Sequence, residues 1–296
     1  MEDQAIESKD FQMPTQLFRY RSLDTIYIWE EIERALKSCE IFLPSAAKVN
    51  DPFEFSPILV ESSLKDLNLD IKRTLRGKPP LSRARVEQLT NRLISRNEFR
   101  VFNKKFRSPL NVAKVEHYAA REGLRKLREK ARLACFCETP DSIPMWAHYA
   151  SHRGVCLAFD VDFNSLKTVP EFLTLPVKYA ELRPTVSTLD LRVFTLRSKP
   201  NIDDEVVRDR VFDSLFFSKA QDWAYEREWR VVETSDTPPR YEKIEGLKLK
   251  ALLFGIEADN VNVQKGMDEF GSRISVFKAT PSRSRYGVDF TKVAGA

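Results

Sequence analysis

Apolar residues in this chain gather in short runs, most of them too brief for anything but strands. "LFRY" (Leu17–Tyr20) predicts a first strand that leads into a helix starting near Ser22 or Asp24. There Ile28, Trp29, Ile32 and Leu36 recur at helical spacing, with Glu30, Glu31, Glu33 and Arg34 on the other side. "EIFLPS" (Glu40–Ser45) predicts a second strand. "NDPFEF" (Asn50–Phe55) predicts a turn into extended chain, because Pro52 cannot continue a helix. Further along, "RLACFCE", "GVCLAFD", "LPVKYA", "EWRVVE", "LKALLFGI" and "RISVFKA" read as strands. Between them fall a short helix at Pro144–Ala150, an amphipathic helix over Asp203–Ala220 carrying Val206, Val207, Val211, Leu215 and Phe216, and a helix near Val261–Phe270.

The segment from about Glu61 to Arg132 has another character. Apart from the breaker "GKPPLS" it is charged and helical in pattern, as in "RARVEQLTNRLISR" and "VEHYAAREGLRKLREKAR". Many short strands with helices between them, but no regular βαβ alternation, predict an α+β fold. No linker rich in Pro, Gly or Ser divides the chain. The expectation is a single domain over residues 1–296, with a mixed β core of short strands and a charged helical insertion at about 61–132.

Composition changes this picture little. Apolar residues make up 42% and charged residues 31%, with a net charge of +5, which permits contact with nucleic acid without demanding it. No apolar run reaches the length of a membrane span, and the first residues carry no signal-peptide pattern, so the expectation is a cytoplasmic protein without a membrane partner. With nine glycines in all, neither a P-loop nor a dinucleotide fingerprint can be written. Cys135, Cys137, His148 and His152 offer soft ligands, but Cys-x-Cys on an apolar strand is an uncommon zinc spacing. Core cysteines and no metal are expected.

Chemistry concentrates in a few places. "NDPFE" puts Asn50 and Asp51 in a polar turn, either as an Asx-turn or as a cleft wall. "MWAHYASHRG" places Trp146, His148, Tyr149, His152 and Arg153 just before a buried strand. "DWAYEREWRVV" carries three carboxylates, Asp222, Glu226 and Glu228, and two guanidiniums among aromatic rings. If "EWRVV" is a strand, Trp229 and Val231 face the core while Glu228, Arg230 and Val232 share the other face, with Glu226 close by in the entry turn.

Taken together, "LFRYRS", "FLPSAAKVNDPFEF", "MWAHYASHRGVCLAFD" and "KAQDWAYEREWRVV" resemble, in order and wording, the bacterial domain-of-unknown-function family 2971, from about Leu17 to Gly255. The name of that family implies no activity. A second resemblance is to the ADP-ribosyltransferase fold, with Arg19 or Arg21 on the early strand, Tyr149 centrally and Glu226-Arg227-Glu228 on the late strand, although a Ser-Thr-Ser motif is missing. This second resemblance implies NAD as substrate and Glu228, Glu226 and Tyr149 as the catalytic residues. It also implies a nucleotide site drawing on Arg19, Arg21, Asn50, Asp51, Trp146, His148, His152 and Arg230. The molecule modified would be a nucleic acid or protein acceptor, and the role that of a toxin or phage-defence effector. Two other classes stay open. One is a Mg2+-dependent nuclease using Asp51, Glu54, Glu226 and Glu228, and the other is a non-catalytic nucleic-acid-binding module built on the basic insertion.

Overall fold

A computed structural model describes residues 13–25, 27–60, 112–167, 172–188, 190–191, 205–234 and 238–295. The chain opens with β1 (Gln16–Arg21), α1 (Ile28–Ser38), β2 (Glu40–Leu43), a 3-10 turn at Ala46–Lys48 and β3 (Ile58–Val60). It resumes with α2 (Val112–Lys130), β4 (Ala131–Cys137), α3 (Ile143–Ala150), β5 (Val155–Val161), α4 (Phe163–Lys167) and β6 (Phe172–Pro176). Next come β7 (Lys178–Ala180), β8 (Thr185–Ser187), α5 (Glu205–Phe216), β9 (Ser218–Ala220), a 3-10 turn at Gln221–Glu226 and β10 (Glu228–Thr234). The last part holds β11 (Arg240–Lys243), β12 (Leu247–Phe254), α6 (Asn260–Phe270), β13 (Ser275–Pro281) and β14 (Val288–Ala294).

One eight-stranded sheet, ordered β14-β13-β12-β5-β1-β4-β10-β6, carries the fold. Its pairings are antiparallel except for the parallel β12–β13 pair, so the sheet is mixed and the α+β expectation holds. Three small two-stranded pairs, β2–β11, β3–β8 and β7–β9, sit beside it. Among the described residues no helix is long and apolar enough to cross a membrane.

Register decides which side chains meet. Trp229 lies opposite Phe136 and Val231 opposite Ala134, and these four join Leu17, Leu157, Phe159, Ile28 and Ile32 in the largest apolar cluster. Fully burying residues such as Val231 or Leu157 contributes about 1.5–3 kcal/mol each. The other face of the same strands carries two apolar clusters with a polar gap between them. Cys137 belongs to a cluster with Phe18, Tyr20 and Trp146, while Leu133 and Val232 belong to one with Val211, Leu215 and Phe216. Between them the register sets Arg230 against Cys135 and Glu228 against Cys137. The strand "EWRVVE" therefore has no solvent face: Glu228 and Arg230 are as buried as Trp229.

The sheet also forks. β1 pairs with β5 from Gln16↔Asp160 to Arg21↔Val155, but with β4 only at Phe18↔Cys137. Beyond that point the chain after β2 lies against β4 instead, with Leu133 N–H donating to the Pro44 carbonyl at 3.0 Å and a bridge between Ser45 and Arg132. The end of β1 is backed by Gly154, where a Cβ atom would stand 2.2 Å from the Arg21 carbonyl oxygen.

Three expectations change. "LPVKYA" is not one strand: Val177 breaks it, leaving β6 in the main sheet and β7 on β9. The helix expected to run to Ala220 stops at Phe216, because Ser218–Ala220 is drawn into the parallel pair with β7. The insertion is seen only in its last part, where α2 ends at Lys130 and Arg132 already belongs to β4; residues 61–111 lie outside the described residues, as do the side chains of Val206 and Val207.

Candidate active site in the sheet fork

A cavity of about 410 Å³ fills the fork. It falls within the usual range of small-molecule sites, roughly 300–1,000 Å³. Arg19 and Arg21 of β1, Asn50 of the turn after β2, His148 and Tyr149 of α3, Glu226 of the 3-10 turn, and Glu228 and Arg230 of β10 all line it. The segments that carry them are brought together by the sheet order, since β10 and β1 flank β4.

A buried ionic cluster forms one wall. Arg230 grips Glu228 with two bonds, Nε to Oε1 and Nη2 to Oε2, both 2.7 Å. Its Nη2 also reaches Glu54 Oε2 at 2.5 Å, and Nη1 donates to the Phe216 carbonyl at 2.9 Å. Lys219 of β9 points its ammonium at three carboxylates: Glu226 at 2.5 Å, Glu54 at 3.1 Å and Glu228 at 3.4 Å. Tyr149 donates its hydroxyl to Glu226 Oε1 at 2.7 Å and is itself hydrogen-bonded by Asn50. The Tyr179 hydroxyl accepts from the Glu228 backbone N–H at 2.8 Å. Aromatic faces close over the cations, Lys219 over Trp223 at 4.7 Å and Arg230 over Phe55 at 5.4 Å.

Charge bookkeeping separates the two glutamates of "EREW". Glu54, Glu226 and Glu228 face Lys219 and Arg230, so full ionisation leaves one negative charge buried. Burial works against ionised Glu228, but the charge and hydrogen bonds of Arg230, with Lys219, outweigh it and hold the carboxyl at about 2. Burial also acts on Glu226 and there it wins: with the charge of Glu228 it raises the carboxyl above its ordinary range, against the pull of Lys219. The raised proton affinity of Glu226 works against that excess charge. Lys219 loses by burial and gains more from its three glutamates, so its ammonium is held charged.

These opposed shifts set an expected acid response. Glu228, with its depressed folded value, stabilises the fold above the unfolded carboxylate range, and that stability is lost as pH falls from about 4.5 through about 2. Glu226, with a raised value, contributes in the opposite sense: its contribution is present at low pH and lost as pH rises through its folded value. Melting curves across pH 4.5 to 2 should fall steeply for the parent and less steeply for Glu228→Gln. Parallel slopes would contradict this assignment.

Three residues named from the sequence lie elsewhere. Trp146 is core: it is 1% exposed, donates through Nε1 to the Pro140 carbonyl at 2.8 Å and meets Tyr20 edge-on at 5.0 Å. Asp51 makes the Asx-turn, its Oδ1 accepting from the Phe53 N–H at 2.8 Å. It borders a second cavity of about 170 Å³ that shares Glu54 and Lys219 with the first. His152, in a left-handed turn, lines a separate surface cavity with the hairpin at 281–288. His148 remains at the mouth, stacked on Tyr225 at 6.4 Å.

Sequence reasoning missed Lys219 and Glu31 as site residues and treated Cys135 only as a metal candidate. Lys219 carried a signal, since a lysine directly after "LFFS" stands in a buried apolar run. Cys135 is reached from the cavity but sits deep among protein atoms. That burial, then the charge of Glu228, pushes its thiol well up. Cys137 and Cys156 are buried free thiols.

Among the described residues no group of three His, Cys, Asp or Glu is set to hold a metal ion. Where Glu54, Glu226 and Glu228 converge, the Lys219 ammonium stands among them, a donor set that does not fit Mg2+.

No curated protein and no solved structure matches this chain. A family model does, described as a protein of unknown function (DUF2971), over residues 145–231. The matched stretch runs from α3 through most of β10 and contains Tyr149, Lys219, Glu226, Glu228 and Arg230 of the cavity wall. Over that segment the chain is similar to the DUF2971 family, and the ionic cluster lies mostly inside it.

Proposed function

We propose that the fork cavity is the active site of an enzyme acting on a nucleotide. NAD is the substrate expected from the resemblance to ADP-ribosyltransferases, and Glu226 is the working carboxylate. The observation that carries this reading is the chain Tyr149–Glu226–Lys219, a buried carboxyl opening onto a cavity with its proton affinity raised. Such a carboxyl accepts a proton near neutral pH better than an ordinary glutamate does. In ADP-ribosyl transfer the bond between ribose C1′ and the nicotinamide nitrogen breaks, and its electron pair leaves with nicotinamide. The acceptor oxygen or nitrogen bonds to C1′ and gives its proton to Glu226. The acceptor is a nucleic acid or a protein, and a role as toxin or phage-defence effector belongs to this reading.

The role first expected of Glu228 moves to its neighbour. Glu228 is gripped twice by Arg230 and its proton affinity is lowered, whereas that of Glu226 is raised, so Glu228 serves as a positioning residue that holds Arg230 and Lys219 in place. The Mg2+-nuclease reading has less support, because the Lys219 ammonium stands where its metal would be needed. NAD should raise the melting temperature of the protein, by a free energy of about 2.7 kcal/mol at a hundred times its Kd, and nicotinamide should be released on incubation. Mg2+ should leave the melting temperature unchanged. Stabilisation by Mg2+ together with indifference to NAD would reverse the choice between the two classes.

A further inference from the structure

The surface cavity between the end of α3 and the β13–β14 hairpin measures about 560 Å³ and shares no lining residue with the fork cavity among the described residues. Its lining is apolar at Ile143, Ile256, Pro281 and Val288, and polar or basic at His152, Arg283 and Arg285. Both sides are fixed by backbone contacts. His152 takes a left-handed conformation at φ 54°, its N–H donates to the Trp146 carbonyl at 3.0 Å, and its carbonyl accepts from the Glu257 N–H at 2.9 Å. Gly255 packs so tightly on that carbonyl that a Cβ atom would stand 2.2 Å from its oxygen. Opposite, the hairpin "PSRSRYGV" is closed by the Ser282 N–H donating to the Gly287 carbonyl at 3.0 Å. Arg285 ties it to Asp141 at 3.2 Å and to Asp289 at 3.9 Å. Tyr286, at the tip, is 101% exposed and meets no other ring among the described residues. Arg283 is exposed too, and among the described residues it makes no hydrogen bond or ion pair.

We infer that this hairpin cavity binds single-stranded nucleic acid, with a base stacked on Tyr286 and backbone phosphates met by Arg283 and Arg285. A lone exposed aromatic ring is ordinary on a protein surface. This one borders a cavity with an apolar lining, one residue from Arg285 and three from Arg283. An aromatic face with cations beside it holds unpaired bases, since every base offers a ring face and every linkage a phosphate. Arg283 has no carboxylate to give up. The pairs of Arg285 are exposed, so they are worth little and yield to a phosphate at small cost. A duplex keeps its ring faces inside its own stack and offers this surface only phosphates. An acidic peptide would find the arginines but present nothing flat to Tyr286. Helix α3 borders both cavities, with Tyr149 on the fork and Ile143 on this one. Of the two acceptor classes named above, nucleic acid is the one this surface favours, although binding here does not depend on the chemistry of the fork.

Fluorescence anisotropy of labelled oligo(dT) and oligo(rU) strands of about 12 nucleotides, titrated with the full chain, tests this. Affinity should fall as salt rises, and a duplex of equal length should bind less tightly than either strand. Tyr286→Ala should weaken binding roughly 5- to 150-fold with the melting temperature unchanged, and Tyr286→Phe should keep the parent affinity. Arg283→Gln should reduce the slope of log affinity against log salt by about 0.7, the share of one phosphate contact on a single strand. Tighter oligo(rU) assigns RNA, tighter oligo(dT) assigns DNA, and equal affinity assigns a site that reads only stack and backbone; all three support the proposal. Absence of binding, a duplex held as tightly as the strands, or Tyr286→Ala binding like the parent overturns it. Polyglutamate displacing the strands as well as unlabelled strand does would overturn it too. Strand binding that depends on Tyr286 in a protein that releases no nicotinamide would remove the glycosyl-transfer reading and leave the hairpin site standing. Nicotinamide release without strand binding would do the reverse.

Discussion

Replacing Glu226 by glutamine is expected to lower NAD turnover by about 10²–10⁴-fold, the range of a positioned acid–base group, while leaving the melting temperature near that of the parent. The two halves of this expectation have separate causes. Turnover falls because an amide cannot accept the acceptor's proton. Stability is kept because burial and the charge of Glu228 already work against the ionised form here, and glutamine keeps the shape of the side chain without its charge. The amide oxygen can take the Lys219 hydrogen bond while its NH2 group faces the Tyr149 hydroxyl, which also accepts. Lys219 keeps Glu54 and Glu228 in either case. Nicotinamide release and thermal melting on the same sample test both halves. A variant that melts normally and turns over normally removes Glu226 from the chemistry. One that melts far below the parent shows that its carboxylate supports the fold instead.

Much of the fold was legible because alternation and helical spacing are local. "EWRVVE" announced Trp229 and Val231 as core positions, and register against Phe136 and Ala134 places them there. Nothing local announces that the opposite face is also covered. Glu228 and Arg230 read as an outward or cleft-facing pair, and only the packing of α3 and α5 to either side makes them buried partners. The fork in the sheet was equally invisible, since it depends on Pro44 and Ser45 taking up the edge of β4 that β1 leaves. For the site, the clustering of polar residues in a few segments pointed to Tyr149, Glu226, Glu228 and both arginines of β1. Aromatic content misled at Trp146, whose indole N–H finds a backbone carbonyl and needs no cleft. Glu31 could not be found at all: on a helix with Glu30, Glu33 and Arg34 it looks like one more solvated charge, and only Arg19 and Arg21 give it a buried task.

Arg230→Met is expected to be the most damaging single substitution in the cluster, costing on the order of 3–5 kcal/mol of folding free energy. The methionine fills much of the space beside Phe55, so lost packing is a minor part of the cost. The major part is the charge left behind. Glu228 loses both of its 2.7 Å bonds to Arg230 and Glu54 loses one at 2.5 Å, leaving Lys219 alone against three carboxylates. Removing the stranded carboxylate as well should return part of the loss, because a buried pair replaced on both sides no longer leaves an uncompensated ion. Arg230→Met combined with Glu228→Leu should therefore be more stable than Arg230→Met alone, though still inactive, since Lys219 and Glu226 lose their support. Urea unfolding of the parent, both single variants and the double variant closes the cycle. A cost below about 1 kcal/mol for Arg230→Met would place the pair in the class of solvent-screened surface bridges, and the double variant falling by the sum of the singles would show that the two side chains do not act on each other.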